Sequence, residues 1–216
     1  MYVSASEIES TLQKAMIGLG LGVGCGVEAG RSALSMLRHD VDPAPIFAAA
    51  FDNVSLGRSS AYDNVRARGG VFAPTQPETQ LSAIIVASAI CDALAAGTDQ
   101  LLAESVDVPV IVLMSLLARG LDVELEGLGT KKVRVSSKAG RLRYENAGIE
   151  GFQNPSNLKL TAIAGFEPSL VLPPISAFDI DGEDWSVLLG YAEQCLVAGS
   201  EQSRLTEAGA GLVDQD

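Results

Sequence analysis

Histidine, cysteine and aromatic residues are scarce in this chain of 216 residues. The one histidine, His39, excludes a histidine-rich metal site and is the only imidazole available to a Ser-His-Asp arrangement. The three cysteines, Cys25, Cys91 and Cys195, are far apart and form no C-x-x-C pair, which argues against a disulfide framework or a zinc site. Because aromatic residues make up 5% of the chain, aliphatic side chains must fill most of the core.

Basic residues are also few. The chain has 15 Lys and Arg against 27 Asp and Glu, which gives a formal net charge of −12. Such a surface repels nucleic-acid phosphates and anionic head groups, so neither nucleic acid nor a membrane is expected as a partner. The longest apolar stretch, residues 81–96, contains Asp92 and is too short to span a membrane. No signal peptide, cofactor motif or metal motif is expected, and by elimination we predict a soluble cytoplasmic protein.

The hydrophobic pattern predicts an α+β fold with N-terminal helices, a buried central helix, a mostly antiparallel sheet and a C-terminal helix. The length fits a single domain that covers residues 1–216. Within it we expect a helical part (1–52), an irregular loop (53–74), a helix–sheet–helix part (75–198) and a Gly/Ala-rich tail (199–216).

Two helix starts carry a capping-box pattern. In this pattern a Ser or Thr side chain and a Glu three residues later satisfy backbone N–H groups that have no partner inside the helix. Ser4 with Glu7 predicts the start of the first helix. Thr75 with Glu78 predicts the start of a buried helix over residues 78–96.

Apolar and polar residues alternate in three consecutive segments, which predicts a three-stranded antiparallel meander. Other apolar runs predict further strands, and Asp181 marks the start of a last helix that runs to about residue 197. The segments predicted as strands are 108–113, 123–126, 132–135, 141–144, 158–164 and 168–175.

Residues 53–74 contain two loop-like stretches, 57–60 and 66–70. A loop of this length inside a compact domain is typical of a functional segment, or of a strand that the pattern conceals. Both alternatives stay open at this point.

Glycine recurs at every second position from Gly18 to Gly26, where the second helix begins. Backbone N–H groups at a helix N-terminus can bind phosphate. However, the spacing lacks the G-x-G-x-x-G pattern and the Lys-Ser/Thr ending of a P-loop, and no predicted strand precedes it. A tight helix corner is therefore favoured, with Gly30 marking a close approach by another element.

Two charged segments could also be ligand sites. The acidic residues within 179–184 resemble a calcium loop, but its twelfth position falls on Gly190 instead of Glu, so Asp181 is expected to cap a helix. Six basic residues within 131–143 lie beside two glutamates of the neighbouring predicted strand, which favours cross-strand ion pairs over an anion site.

The C-terminal tail brings hydroxyls, a guanidinium group, glycine N–H groups and carboxylates close together. Arg204 can clamp a carboxylate or phosphate, with glycine N–H groups beside it. The alternatives are a disordered terminus and a tail folded back through pairing of Arg204 with Asp214. The candidate ligand-binding residues of the tail are Ser200, Ser203, Arg204, Gly209, Gly211 and Asp214.

Two groups of short motifs stand out, one near each end of the chain. They are Gly-Leu-Gly at 18–20, Glu-Ala-Gly-Arg at 28–31, Ser-Glu-x-Ser-Arg at 200–204, Gly-Ala-Gly at 209–211 and Asp-x-Asp at 214–216. In these motifs the chain resembles an uncharacterised bacterial family known only as a domain of unknown function. The chain departs from the family at Val23, where a tryptophan is expected. The resemblance implies no activity, but it adds Glu28 and Arg31 to the candidate residues as members of one ordered cluster with the tail.

We hypothesise that the protein binds a small anionic metabolite at Arg204 and the tail glycines, because these groups cluster in an otherwise acidic chain. One alternative is a hydrolase-type enzyme with Ser203 or Cys25 as the nucleophile and His39 or a carboxylate as the base. The other is a non-catalytic subunit whose first two helices form a homodimer interface.

Overall fold

The computed structural model describes residues 1–60, 62–127, 131–136, 141–145, 152–163 and 177–195. Within these ranges the chain forms six α-helices and eleven strands, so the predicted α+β class is confirmed. The helices are α1 (Ala5–Gly18), α2 (Val23–Leu37), α3 (Pro43–Ser55), α4 (Ala83–Ala95), α5 (Pro109–Ala118) and α6 (Gly182–Glu193). The strands are β1 (Tyr2–Ser4), β2 (Ser59–Ser60), β3 (Val65–Arg68), β4 (Val71–Pro74), β5 (Gln80–Leu81), β6 (Gln100–Val106), β7 (Val123–Gly127), β8 (Lys131–Ser136), β9 (Arg141–Glu145), β10 (Ser156–Ala162) and β11 (Ala177–Asp179).

The larger sheet has the order β2-β5-β6-β10-β7-β8-β9. In addition, β4 pairs with β6, and β3 pairs with β4. The strands from β6 through β10 to β9 are antiparallel, whereas β2, β5 and β4 join the β6 side of the sheet through parallel pairs. A separate antiparallel ribbon joins β1 to β11. The prediction of a mostly antiparallel sheet is therefore confirmed, and β10 confirms the strand predicted at 158–164. The strand predicted at 168–175 lies outside the described residues.

The predicted meander is present as β7, β8 and β9. Its register places Glu124 opposite Arg134 and Glu126 opposite Lys132, as expected for cross-strand charge pairing. The Nζ atom of Lys159 on β10 is also 3.6 Å from Oε2 of Glu126. Two basic residues of the segment thus lie opposite acidic residues of the neighbouring strand.

The glycine-rich segment forms a close-packed corner between α1 and α2. A Cβ atom on Gly26 would lie 2.7 Å from Cα of Gln13, and one on Gly30 would lie 3.2 Å from Cα of Glu9. The two backbones can approach this closely only because both positions lack a side chain. This agrees with the predicted helix corner and with the predicted close approach at Gly30.

Two of the predicted helix boundaries need correction. Ser4 and Glu7 form the predicted capping box at α1. The helix predicted from residue 78 begins at Ala83 instead, because Leu81 pairs with Val106 in the sheet. The hydroxyl of Thr75 donates to the carbonyl oxygen of Asn64 and caps no helix. The last helix ends at Glu193, about four residues before the predicted end.

The apolar run at 108–113 is helix and not strand. Pro109 occupies the first turn of α5, where its missing N–H costs nothing. Nine of the ten residues of α5 are buried, so the helix shows no polar face from which its period could be recognised. The sequence pattern also missed β6, whose alternation is interrupted at residues 104 and 105.

The segment predicted as an irregular loop, residues 53–74, contains ordered structure. The last residues of α3 occupy its start, and β2, β3 and β4 occupy much of the rest. The expectation of an irregular loop was therefore wrong, and the alternative of a concealed strand was correct.

No described helix reaches the length and apolar content that crossing a bilayer requires.

Candidate functional site

Six of the eight predicted ligand-binding residues belong to the tail and lie outside the described residues. They are Ser200, Ser203, Arg204, Gly209, Gly211 and Asp214. The other two candidates lie on α2, where Nη1 of Arg31 is 3.1 Å from Oε1 of Glu28. Nη1 of Arg119 is 3.2 Å from the same oxygen, and Arg119 also pairs with Asp92 on α4. Glu28 is thus engaged in a charge network that joins α2, α4 and the end of α5.

The pair of Cys25 and His39 proposed for an enzyme is not formed. Cys25 lies in the first turn of α2 and His39 follows its end, so about 20 Å of helix separates them. Nδ1 of His39 donates a hydrogen bond to the carbonyl oxygen of Ser35 at 2.7 Å. His39 therefore does not act as the base for Cys25.

The acidic segment at the start of α6 caps that helix. Oδ1 of Asp181 accepts hydrogen bonds from the backbone N–H groups of Glu183 at 2.8 Å and Asp184 at 3.4 Å. This agrees with the capping role predicted for Asp181. Across the described ranges, no three His, Cys, Asp or Glu side chains are grouped so that they could hold a metal ion.

An open cleft of about 220 Å³ lies between the β3–β4 hairpin, the end of α4 and the start of β6. Its polar lining comes from Arg68 and Thr98, with the backbone of Gly69 and Gly70 beside them. The remaining lining is apolar and consists of Ala67, Val71, Phe72, Ala93 and Leu101.

The turn of the hairpin fixes the position of Arg68. Gly69 and Gly70 have φ angles of +60° and +78°, as a two-residue type I′ turn requires. The backbone N–H of Leu102 donates to the carbonyl oxygen of Gly70 at 2.8 Å, which ties the turn to β6. A Cβ atom on Gly70 would also lie 3.1 Å from the carbonyl oxygen of Gln100. Arg68, the last residue of β3, is therefore held at the edge of the cleft.

Arg68 lines this cleft without a carboxylate partner in the described part of the chain. Its side chain is exposed, and none of the ion pairs or hydrogen bonds among the described residues involves it. The hydroxyl of the half-buried Thr98 likewise has no hydrogen bond to a described residue. A guanidinium donor and a hydroxyl are thus available to a ligand above an apolar floor.

The sequence interpretation missed this site. The pair Gly69-Gly70, flanked by Val65, Ala67 and Val71 in alternating positions, is a hairpin signal that could have been used. The same two glycines made the stretch 66–70 loop-like in the sequence pattern.

A second polar cluster surrounds the carboxylate of Asp107, which is 1% exposed. Oδ1 accepts hydrogen bonds from the backbone N–H groups of Ala83 at 2.8 Å and Val108 at 2.6 Å. Oδ2 accepts a hydrogen bond from the hydroxyl of Ser59 at 2.7 Å. Desolvation by burial raises the pKa of Asp107, although these hydrogen bonds act in the opposite direction.

Strained backbone precedes this cluster. Ser105 has a φ angle of +54°, which L residues rarely adopt. It lies in a β-bulge, since Glu104 and Ser105 together lie opposite Asn157 in the register of β6 with β10. The amide oxygen of Asn157 accepts a hydrogen bond from the backbone N–H of Ser105.

Two hydroxyls near this cluster have no hydrogen-bond partner among the described residues. They belong to Ser60 and Ser82, which are 2% and 0% exposed. Because the donors around Asp107 belong to the protein itself and these hydroxyls are sealed from solvent, the cluster is suited to holding elements together. The open cleft with Arg68 is the better candidate for a ligand site.

Comparison of the chain with known protein families, with curated proteins and with solved structures gave no match.

Proposed function

We propose that the protein binds a small anionic molecule in the cleft beneath the β3–β4 hairpin. The observation that supports this proposal is Arg68, which lines an apolar cleft and has no acidic partner in the described part of the chain. Other exposed arginines, such as Arg66, also have no described acidic partner, and Arg68 differs from them because it lines the cleft.

The chemistry of the cleft suits this role. A guanidinium group presents paired N–H donors that match a carboxylate or phosphate group in a bidentate arrangement. An exposed ion pair in water contributes little, but the attraction is stronger beside a low-dielectric apolar wall. Phe72 and Leu101 supply such a wall, and both side chains are buried.

The test is a binding measurement with matched arginine variants. Wild type, Arg68→Ala and Arg66→Ala would be titrated with small carboxylates and phosphates by isothermal calorimetry at pH 7. Arg66 is the control, since it is an exposed arginine on the same strand and does not line the cleft.

A hydrogen bond to a charged group contributes about 1.5–3 kcal/mol, so Arg68→Ala should weaken anion binding roughly 10- to 150-fold. Arg66→Ala should leave the affinity nearly unchanged. An equal loss in both variants would indicate general charge attraction and would contradict the proposed site.

The same titrations test whether the C-terminal tail contributes to anion binding. If Arg204 also clamps the anion, as its sequence context suggests, Arg204→Ala should weaken binding by a similar factor. An unchanged affinity in Arg204→Ala, together with a loss in Arg68→Ala, would assign binding to the cleft alone.

A second candidate function is assembly into a homodimer through the N-terminal helices. The apolar faces of α1 and α2 pack within the chain, but Val23 and Val27 of α2 remain 56% and 40% exposed. These two side chains lie one helical turn apart. Light scattering at micromolar concentration tests the candidate: a monomeric wild type rules it out, and a dimer should dissociate in Val27→Asp.

A further inference from the structure

The size of the cleft limits what it can hold. Its volume of about 220 Å³ exceeds that of an apolar cavity of about 150 Å³ that can bind benzene. It is below the range of roughly 300–1,000 Å³ that is typical of pockets for drug-sized ligands. The ligand is therefore somewhat larger than benzene and smaller than a nucleotide.

The lining indicates a ligand with one apolar body and one charge. Five of the nine lining residues have apolar side chains, and Arg68 is the single charged one. A ligand without an apolar body would leave the half-buried side chains of Val71 and Ala93 in contact with water and would gain little from the cleft.

The surroundings favour a single negative charge over two. A phosphate ester carries about −1.5 to −2 charges at pH 7, whereas a carboxylate carries one. The second charge of a phosphate would be repelled by a chain of net charge −12 and would find no second arginine in the lining.

We infer that the cleft takes a small monocarboxylate whose apolar body is about the size of a benzene ring, an inference that rests on the proposed function. The carboxylate pairs with Arg68, and the apolar body covers the half-buried side chains of Val71 and Ala93. The hydroxyl of Thr98 is available to a second polar group of the same molecule.

Four probes separate the features of such a ligand. Benzoate has the charge and the ring, benzamide has the ring without the charge, acetate has the charge without the ring, and phenyl phosphate has the ring with a larger charge. Each would be titrated into the full chain by isothermal calorimetry at pH 7 and physiological ionic strength. Benzoate should bind most tightly, with each of the other three at least about tenfold weaker.

A cleft-filling variant locates the binding. Ala93 is a half-buried lining residue near the end of α4, and Ala95 is exposed on the same helix and does not line the cleft. Ala93→Leu should weaken benzoate binding at least about tenfold, whereas Ala95→Leu should leave it unchanged. Equal melting temperatures of the two variants would show that the fold is retained. If Ala93→Leu folds and binds benzoate as wild type does, the assigned site is wrong.

The outcomes distinguish the inference from the proposed function. If phenyl phosphate binds more tightly than benzoate and loses affinity in Arg68→Ala, the cleft binds anions but the monocarboxylate class is wrong. If acetate binds as tightly as benzoate, the apolar body has no role and the inference is equally overturned. If benzamide matches benzoate, or if no probe binds at millimolar concentration, the proposed anion-binding function fails as well.

Discussion

The carboxylate of Asp107 accepts a hydrogen bond from the backbone N–H of Ala83 at 2.8 Å and so caps α4 from 24 residues away. The same oxygen accepts the N–H of Val108 at 2.6 Å, just before α5. One buried side chain therefore caps the start of α4, holds the residue that precedes α5, and through the hydroxyl of Ser59 also holds β2.

The first prediction concerns the loss of this carboxylate. Asp107→Ala leaves two backbone N–H groups and a hydroxyl buried without acceptors, so the free energy of unfolding should fall by about 2–4 kcal/mol. Asp107→Asn should cost less, because its amide oxygen can still accept both N–H groups. Urea denaturation at pH 7 measures both. Asp99→Ala, at an exposed position, is the control and should change stability by less than about 0.5 kcal/mol.

The pH dependence of stability should show the ionisation of the same group. Burial raises the pKa of Asp107 above its ordinary value of 3.8, so the folded state holds this proton more tightly than the unfolded chain does. The stabilisation that the folded state gains from this tighter proton binding is therefore fully present below about pH 4. It is lost as the pH rises through the pKa of Asp107 in the folded state. The unfolding free energy of wild type relative to Asp107→Asn should fall over that range. A relative stability that rises with pH would contradict the pKa direction.

Ser82 gives the third prediction, because it occupies the N-cap position of α4 without making a side-chain cap bond. Replacing an N-cap serine by alanine usually costs about 1 kcal/mol. Since Asp107 supplies the cap here and the Ser82 hydroxyl is buried without a described partner, Ser82→Ala should be neutral or stabilising. The control is Ser4→Ala, which removes a working capping box and should cost about 1 kcal/mol. A loss at Ser82 as large as that at Ser4 would show that its hydroxyl has a partner.

The elements that were predicted correctly depend on residues close together in sequence. The capping box of Ser4 and Glu7 and the alternation through β7, β8 and β9 are local patterns, and both are present. The errors arose where distant residues decide the structure. Leu81 joins a strand because Val106 is beside it, and α4 then begins under a cap from Asp107. No local pattern at Thr75 could show this.

The candidate site also has one part that local sequence predicts and one part that depends on tertiary packing. The two glycines after Arg68 are a local hairpin signal, so the turn could have been predicted from the sequence. The cleft itself forms only where the hairpin meets α4 and β6, and the absence of an acidic partner for Arg68 among the described residues depends on that packing. Such tertiary relationships leave no periodic trace in the sequence.

The fourth prediction concerns thiol reactivity. Burial raises the pKa of the Cys91 thiol to about 12, so only about one molecule in 10,000 carries the reactive thiolate at pH 8. Cys25 and Cys195 are partly exposed. Ellman's reagent should therefore titrate two thiols per native chain and a third after unfolding in guanidinium. Cys91→Ala should leave the native count at two, and rapid reaction of three native thiols would contradict the burial of Cys91.

The corner between α1 and α2 gives the fifth prediction through two glycines on one helix. A methyl group on Gly26 would lie 2.7 Å from Cα of Gln13, whereas one on Gly24 would have no atom within 4 Å. Gly26→Ala must push the two helices apart and should destabilise the protein by about 1–3 kcal/mol. Gly24→Ala meets no obstacle and lowers the conformational freedom of the unfolded chain, so it should stabilise by up to about 1 kcal/mol. Urea denaturation measures both variants, and equal effects would mean that the contact with α1 does not require glycine at Gly26.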